Sequence, residues 1–122
     1  MRRGEVYEVD FGDDAPAGEV AGLRPAVVVS DGLLNERLET VVVVPLTASE
    51  VAQRARRRHN VLVLTEDCDG LTRDSVAQAH LVRHVAKDRF RARLGVLDDL
   101  VLDDIAVTLG QVLETRNPLR DL

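Results

Sequence analysis

Aromatic side chains are almost missing from this chain. It has no tryptophan, one tyrosine and two phenylalanines in 122 residues. A core must therefore be filled by aliphatic groups. Valine leads them, a β-branched residue that fits a pleated, half-buried surface. The hydrophobic fraction of 45% is enough for an ordinary core, and the length fits one domain over 1–122. The one cysteine, Cys68, excludes an internal disulfide. No apolar run nears the roughly 20 residues that cross a bilayer. The opening "MRRGEVYEVD" turns acidic too early for a signal peptide. The expectation is a soluble, cytoplasmic protein with no membrane contact.

Several chemistries are absent as well. There is no CxxC pair, zinc spacing, Walker loop, GxGxxG or GxSxG. "EDCDG" begins like a calcium loop, but it lacks the remaining ligands and the closing glutamate. His59, His80 and His84 have no carboxylate or cysteine at ligand spacing. His80 and His84 could share one strand face, but two such ligands alone make a poor metal site. No metal and no cofactor is expected.

Positive charge is in deficit overall, with a net charge of -5, but it is not spread evenly. Residues 1–50 hold four basic against ten acidic groups, and residues 96–122 hold two against six. Residues 51–95 reverse this, with ten basic against five acidic. A local basic block can bind a polyanion whatever the total, because screening limits electrostatic reach to about 8–10 Å at ordinary salt. The same block is also what a solvated loop and strand face looks like.

The elements follow from pattern and punctuation. "GEVYEVDF" alternates and reads as a first strand, with Val6, Glu8 and Asp10 on one face and Tyr7, Val9 and Phe11 on the other. "FGDDAPAGEVAGL" is a long loop rich in glycine and acids. "RPAVVVS" is a second strand, buried on both faces. "DGLLNERL" offers one or two helical turns with Asp31 as cap. "ETVVVVPLTAS" is a third strand ended by Pro45, and the basic "EVAQRARRRH" is a loop. "NVLVLT" is a fourth strand, "EDCDGLTRD" a turn, "SVAQAHLVRHV" a fifth strand and "FRARLGVL" a short last one. "DDLVLDDIAVTLGQVLE" is a helix capped by Asp98. Its apolar stripe is Leu102, Ile105, Ala106, Leu109, Val112 and Leu113, and Pro118 ends it. The fold class is mainly β with a C-terminal helix: five to six antiparallel strands in a small, strongly curved sheet or partly open barrel.

Arg24 opens the second strand and Thr47 closes the third. If these strands are antiparallel neighbours, the two residues meet at one rim beneath the long loop. A guanidinium is a rigid fork of donors suited to phosphate, and threonine adds a hydroxyl. The other reading is that Arg24 pairs with a nearby acid such as Glu19, and that Thr47 is an ordinary strand-end residue.

A resemblance separates these readings. "RGEV", "GEVAGLRPAVVVS", "VVVVPLTAS" and "LTRDSVAQAHLVRHV", in this order and spacing and followed by a helix, resemble the MazF/PemK family of toxin endoribonucleases over nearly the whole chain. The resemblance implies a small SH3-like barrel of the CcdB/PemK type that forms a homodimer. It implies metal-independent cleavage of single-stranded RNA at a short sequence. The 2′-hydroxyl attacks the adjacent phosphate and leaves 2′,3′-cyclic phosphate and 5′-hydroxyl ends. It also implies a cognate antitoxin that covers the RNA site. Arg24 matches the family's catalytic arginine, Thr47 its catalytic threonine and Glu19 its loop glutamate. Arg54, Arg56, Arg57 and Arg58 fall on a loop with which the family grips RNA, and Gln78 and Arg83 fall on a strand that also faces it.

The departures are specific. Gly18 stands where part of the family has histidine or serine, and Val20 where a glutamine commonly follows. Glu8 replaces a strand-one tryptophan, which removes a stacking surface. Gln78 and His80 stand where one branch has a catalytic arginine and aspartate, so His80 becomes a candidate base near neutral pH. Two competing readings keep the fold without the chemistry. One is a CcdB-like toxin that poisons DNA gyrase by protein contact, which carries a Trp-Gly-Ile C-terminus that this sequence lacks. The other is a barrel-type protein- or RNA-binding module.

Overall fold

The chain is described by a computed structural model over residues 1–114. In order it forms β1 (Glu5–Asp10), β2 (Leu23–Val28), α1 (Gly32–Arg37), β3 (Thr40–Thr47), α2 (Val51–Arg54), β4 (Asn60–Val63), β5 (Ser75–Gln78), β6 (Arg83–Ala86), β7 (Phe90–Val96) and α3 (Asp99–Val112). Every ladder is antiparallel. The strand order is β4-β5-β3-β2-β1-β7, with β6 also on β3. Among the described residues no ladder joins the two ends of this path, so the sheet is not closed.

Seven strands replace the expected five or six because "SVAQAHLVRHV" is not one strand. Ala79–Leu81 form a 3-10 turn that separates β5 from β6. The cause lies in β3. One edge of this long strand pairs with β2, while the other changes partner midway. Thr40 to Val43 pair with β6, and Leu46 and Thr47 pair with β5. Pro45 lies in the gap between those two partners, where a missing N–H is tolerated. It is buried and pairs with Ala26, and it does not end the strand. The basic stretch is also not wholly a loop, since α2 occupies Val51–Arg54.

The valine runs are buried on both faces, as their unbroken apolar character predicts. Val6, Val27, Val44 and Leu46 join Val63, Ala77, Leu97 and Ile105 in one core cluster, with Leu102 and Leu109 of α3 packed against it. Val9, Phe11, Ala26, Val28, Val41, Val43 and Val85 form a second cluster, with Tyr7 beside it. Successive residues of β1, β2 and β3 thus alternate between two cores, the period of a pleated strand. In α3, Ile105 is fully buried and Thr108 nearly so, while Leu113 is exposed and lies beyond the helix. The Asp98 carboxylate accepts from Leu100 N at 3.0 Å, and the Asp31 carboxylate caps α1 from Leu33 N at 2.8 Å. Pro118 lies outside the described residues.

The long loop is pinched at its base. Phe11 N donates to the Gly22 carbonyl at 2.9 Å, and Gly22 N donates to the Gly12 carbonyl at 2.7 Å. Gly12 and Gly22 both adopt positive φ, 86° and 76°, which residues with a Cβ rarely take. The Arg83 guanidinium lies 5.5 Å from the centroid of the Phe11 ring, tying the loop's root to β6.

Candidate RNA-cleavage site

The β2–β3 ladder pairs Ala26 with Pro45, Val27 with Val44 and Val28 with Val43. The same register carried two residues outward sets Arg24 against Thr47. Both side chains line a cleft of about 430 Å³ with Glu19, Arg54, Gln78 and His80. Five segments meet there: the loop before β2, the start of β2, the end of β3, α2, and the end of β5 with its 3-10 turn. The rim geometry expected from the sequence is the geometry observed.

Arg24 is exposed, and its Nε donates to the Ala21 carbonyl at 3.2 Å. No carboxylate lies within 4.0 Å of it among the described residues, so the pairing with Glu19 does not form. One edge of the guanidinium is held by the loop backbone, and the terminal nitrogens remain for a ligand. Thr47 is half-buried. Its Oγ1 accepts from Ser49 N at 3.3 Å, which leaves the hydroxyl hydrogen free to donate. Glu19 is exposed, in a turn closed by its own N–H on the Pro16 carbonyl at 3.1 Å.

His80 belongs to the 3-10 turn and does not share a strand face with His84, which pairs with Val42 from β6. Instead the His80 ring meets His59 edge-on, with centroids 4.2 Å apart. Partial burial, then the neighbouring His59 and Arg54, hold its pKa below the ordinary 6.5. The imidazole is therefore favoured in its neutral form, which can accept a proton.

The basic residues divide. Arg54 lines the main cleft, with an amine of its guanidinium 3.9 Å from the Glu50 carboxylate. Arg83 lines an adjoining hollow of about 310 Å³ that shares Glu19 and His80. Arg58 opens onto a different hollow with His59 and Gln111, and Arg56 and Arg57 are exposed outside both clefts. Sequence reasoning missed three participants. The Ala21 carbonyl holds Arg24, His59 abuts His80, and Asn60 joins β4 to α2 through Nδ2 on the Arg54 carbonyl at 2.9 Å. Asn60 alone carried a signal, as the polar residue that opens an otherwise apolar strand.

The family described as PemK-like, MazF-like toxin of type II toxin-antitoxin systems matches residues 2–113. The chain belongs to this family. It is 34% identical over 100 residues to endoribonuclease MazF9 of Mycobacterium tuberculosis, a match that covers 78% of this chain and 80% of that protein. It is 30% identical over 107 residues to endoribonuclease EndoA of Bacillus subtilis, covering 86% and 87%. Among solved structures, MazF from Deinococcus radiodurans superposes with a TM-score of 0.79 at 22% identity, over 94% of this chain and 97% of that one. An endoribonuclease from Mycobacterial species in complex with its cognate antitoxin superposes with a TM-score of 0.77 at 24% identity, over 97% and 99%. The PemK/MazF toxin fold is therefore the fold of this chain. Among the described residues no helix is long and apolar enough to cross a membrane.

Proposed function

We infer that this chain is a sequence-specific endoribonuclease toxin that cuts single-stranded RNA without a metal. The observation that carries this reading is the pairing of Arg24 and Thr47 in one cleft, with no carboxylate of the described residues paired to the guanidinium and the hydroxyl hydrogen unspent. The curated relatives at 34% and 30% identity are endoribonucleases, which is the activity such a pair would serve.

In the reaction the ribose 2′-hydroxyl loses its proton to a base, and the O2′–P bond forms. The P–O5′ bond breaks, and O5′ takes up a proton. The products are a 2′,3′-cyclic phosphate and a 5′-hydroxyl. Negative charge grows on the non-bridging oxygens as the fifth bond forms. The Arg24 fork and the Thr47 hydroxyl are placed to receive it, and donors fixed before the reaction are worth more than mobile water. Neutral His80 and the Glu19 carboxylate are the two groups in the cleft able to accept the 2′-OH proton. Arg54 adds a second cation, while Arg56, Arg57, Arg58, Gln78 and Arg83 extend contact along the strand.

An antitoxin segment with acidic side chains would compete for the same arginines. One of the structural neighbours is a toxin bound to its cognate antitoxin. As in the family resemblance, the toxin acts as a homodimer in the cytoplasm, where messenger RNA is available.

The test is incubation of the purified protein with a long single-stranded RNA in EDTA, beside Arg24→Ala, with the cut ends mapped and chemically typed. Recurrent short sites with cyclic-phosphate ends, absent in the variant, are expected. RNA left intact across many sequences overturns the reading and moves the weight to a non-catalytic binding module.

A further inference from the structure

The two buried side-chain atoms that lack a hydrogen-bond partner among the described residues lie beside this cleft, one on Arg54, which lines it, and one on Asn60, the cross-strand partner of Gln78. They are Arg54 Nε and Asn60 Oδ1. A third group stands beside them. Gln78, only 8% exposed, ends β5 directly opposite Asn60 on β4 and lines the cleft. None of the side-chain hydrogen bonds among the described residues involves its amide. Asn60 Nδ2 is committed to the Arg54 carbonyl, which ties β4 to α2 beside Gln78.

Because Gln78 lines the cleft and its carboxamide has no partner among the described residues, its donor and acceptor are left for water or a ligand. A ligand that pairs with this carboxamide must offer both a donor and an acceptor. Phosphate offers acceptors alone. It would satisfy the arginine and leave the Gln78 carbonyl oxygen without a donor. A nucleobase carries a donor and an acceptor side by side on its edge, the pattern that a carboxamide matches with two bonds. Position agrees with this. Val76 pairs with Thr47, and Gln78 is two residues further along the same strand, so its side chain leaves the same face of the sheet.

We propose that Gln78 reads the edge of the base next to the scissile phosphate, with Arg54 supplying a further donor, and so sets the cleavage preference at that one position. The proposal rests on the ribonuclease reading above. In this role Gln78 is a specificity-determining residue, and proton transfer is left to other groups. Its carboxamide cannot titrate, and it faces the base while Arg24 and Thr47 face the phosphate.

Two parallel readouts test it, with Gln78→Leu and Gln78→Glu compared with the unaltered protein. The first maps cut sites in a randomised RNA pool. The second recovers the sequences bound from a randomised 2′-deoxy pool, which lacks the attacking hydroxyl and so reports recognition without cleavage. Gln78→Leu is expected to lose discrimination at one position flanking the cut by about 5- to 150-fold, the range for one bidentate base contact. The other positions and the cyclic-phosphate ends should be retained. Gln78→Glu, which has acceptors only, is expected to shift the preferred base at that same position. An unchanged motif in both variants and both pools overturns the proposal. So does a uniform loss at every position with circular dichroism unchanged, which would mark Gln78 as a structural support. If the unaltered protein cuts nothing, the ribonuclease reading fails, while the 2′-deoxy pool still decides whether Gln78 reads a base.

Discussion

Arg24 Nε donates to the carbonyl of Ala21, three residues earlier in the loop that overhangs the cleft. The contact explains how an exposed arginine is held ready for a ligand. Without it the long side chain would sample many rotamers, and ordering them would oppose binding. With Nε fixed to the loop, the two terminal nitrogens are left as a preset fork for the phosphate of the proposed reaction.

Arg24→Ala should therefore lower kcat/KM for RNA cleavage by at least about 10²–10³, the scale for removal of one preorganised donor to a developing oxyanion. Thermal stability should change little, because the side chain is exposed and substitutions at such sites stay within about 0.5 kcal/mol. Arg24→Lys keeps the charge but loses the Nε bond and the fork, so it should recover only a small part of the activity. Single-turnover cleavage beside a melting curve checks both. Full activity in the lysine variant would show that charge alone suffices.

At Thr47 the discriminating substitutions are serine and valine. Serine keeps a hydroxyl that can accept from Ser49 N and donate to the phosphate, while valine keeps the shape and loses both. Thr47→Ser should remain within a few-fold of the parent, on the order of 1 kcal/mol or less of transition-state binding. Thr47→Val should fall further, in kcat more than in KM. Equal losses in the two variants would assign the residue to packing.

Much of this rim was legible in the sequence, and the reasons are local. An arginine before an unbroken valine run, and a threonine after another, place themselves once the two strands are antiparallel neighbours. The division of valines between two cores also follows from alternation. The break at Ala79–Leu81 does not. No glycine or proline marks it, and "SVAQAHLVRHV" alternates through it, because the turn answers to a change of partner along β3 rather than to its own residues. Pro45 misleads for the same reason. His59 and His80 are 21 positions apart and meet only after β4 and β5 have paired, so no spacing rule finds them.

That meeting has a pH consequence. Burial, His59 and Arg54 depress the His80 pKa, so the proton-accepting form persists to lower pH than for a free imidazole. If His80 takes the 2′-OH proton, kcat/KM is flat around neutrality and falls only as pH drops below the ordinary 6.5 and through the depressed value. His59 abuts the His80 ring, and Glu19, Arg24, Arg54 and Arg83 share its two hollows; of these, His59 and Arg54 lower its pKa. His59→Gln removes a like-charged neighbour, so the acid limb should move up in pH. His80→Asn should abolish the limb. A limb that survives unchanged in His80→Asn would assign the proton to Glu19. The same depression acts on stability: the unfolded chain binds this proton more readily, so stability is intact above about 6.5 and declines as pH falls through the folded value.

The basic run makes a prediction in salt. Arg56, Arg57 and Arg58 are exposed and lie outside the cleft that holds Arg24 and Thr47. An interaction made there is with phosphate, which sets affinity and not sequence. Removing one such phosphate interaction should flatten the slope of log K against log salt by about 0.7 for single-stranded RNA. The triple glutamine variant should reduce the slope by at most about 2 and leave the cut motif unchanged. Arg58 opens onto a hollow beside α3, so Arg58→Gln alone should contribute least. Fluorescence anisotropy with a labelled oligonucleotide from about 50 to 200 mM salt, a range over which such slopes are well resolved, measures this directly. An unchanged slope would remove the run from the RNA footprint.

The position of the cleft depends on the core beneath it, and Ile105 tests that dependence. Ile105 is fully buried in the cluster that contains Val44 and Leu46, and Leu46 itself lines the cleft next to Thr47. Ile105→Ala should destabilise the protein by about 2–5 kcal/mol, through reduced burial and a cavity that the surrounding strands cannot fully close. Ile105→Val removes one methylene and should cost about 0.5–1.5 kcal/mol. Because Leu46 connects α3 to the end of β3, the alanine variant should lose cleavage well below its melting temperature, while the valine variant keeps it. Urea unfolding followed by a cleavage assay at room temperature compares the two. Full activity in a folded Ile105→Ala protein would show that the β2–β3 ladder holds the rim without support from the helix.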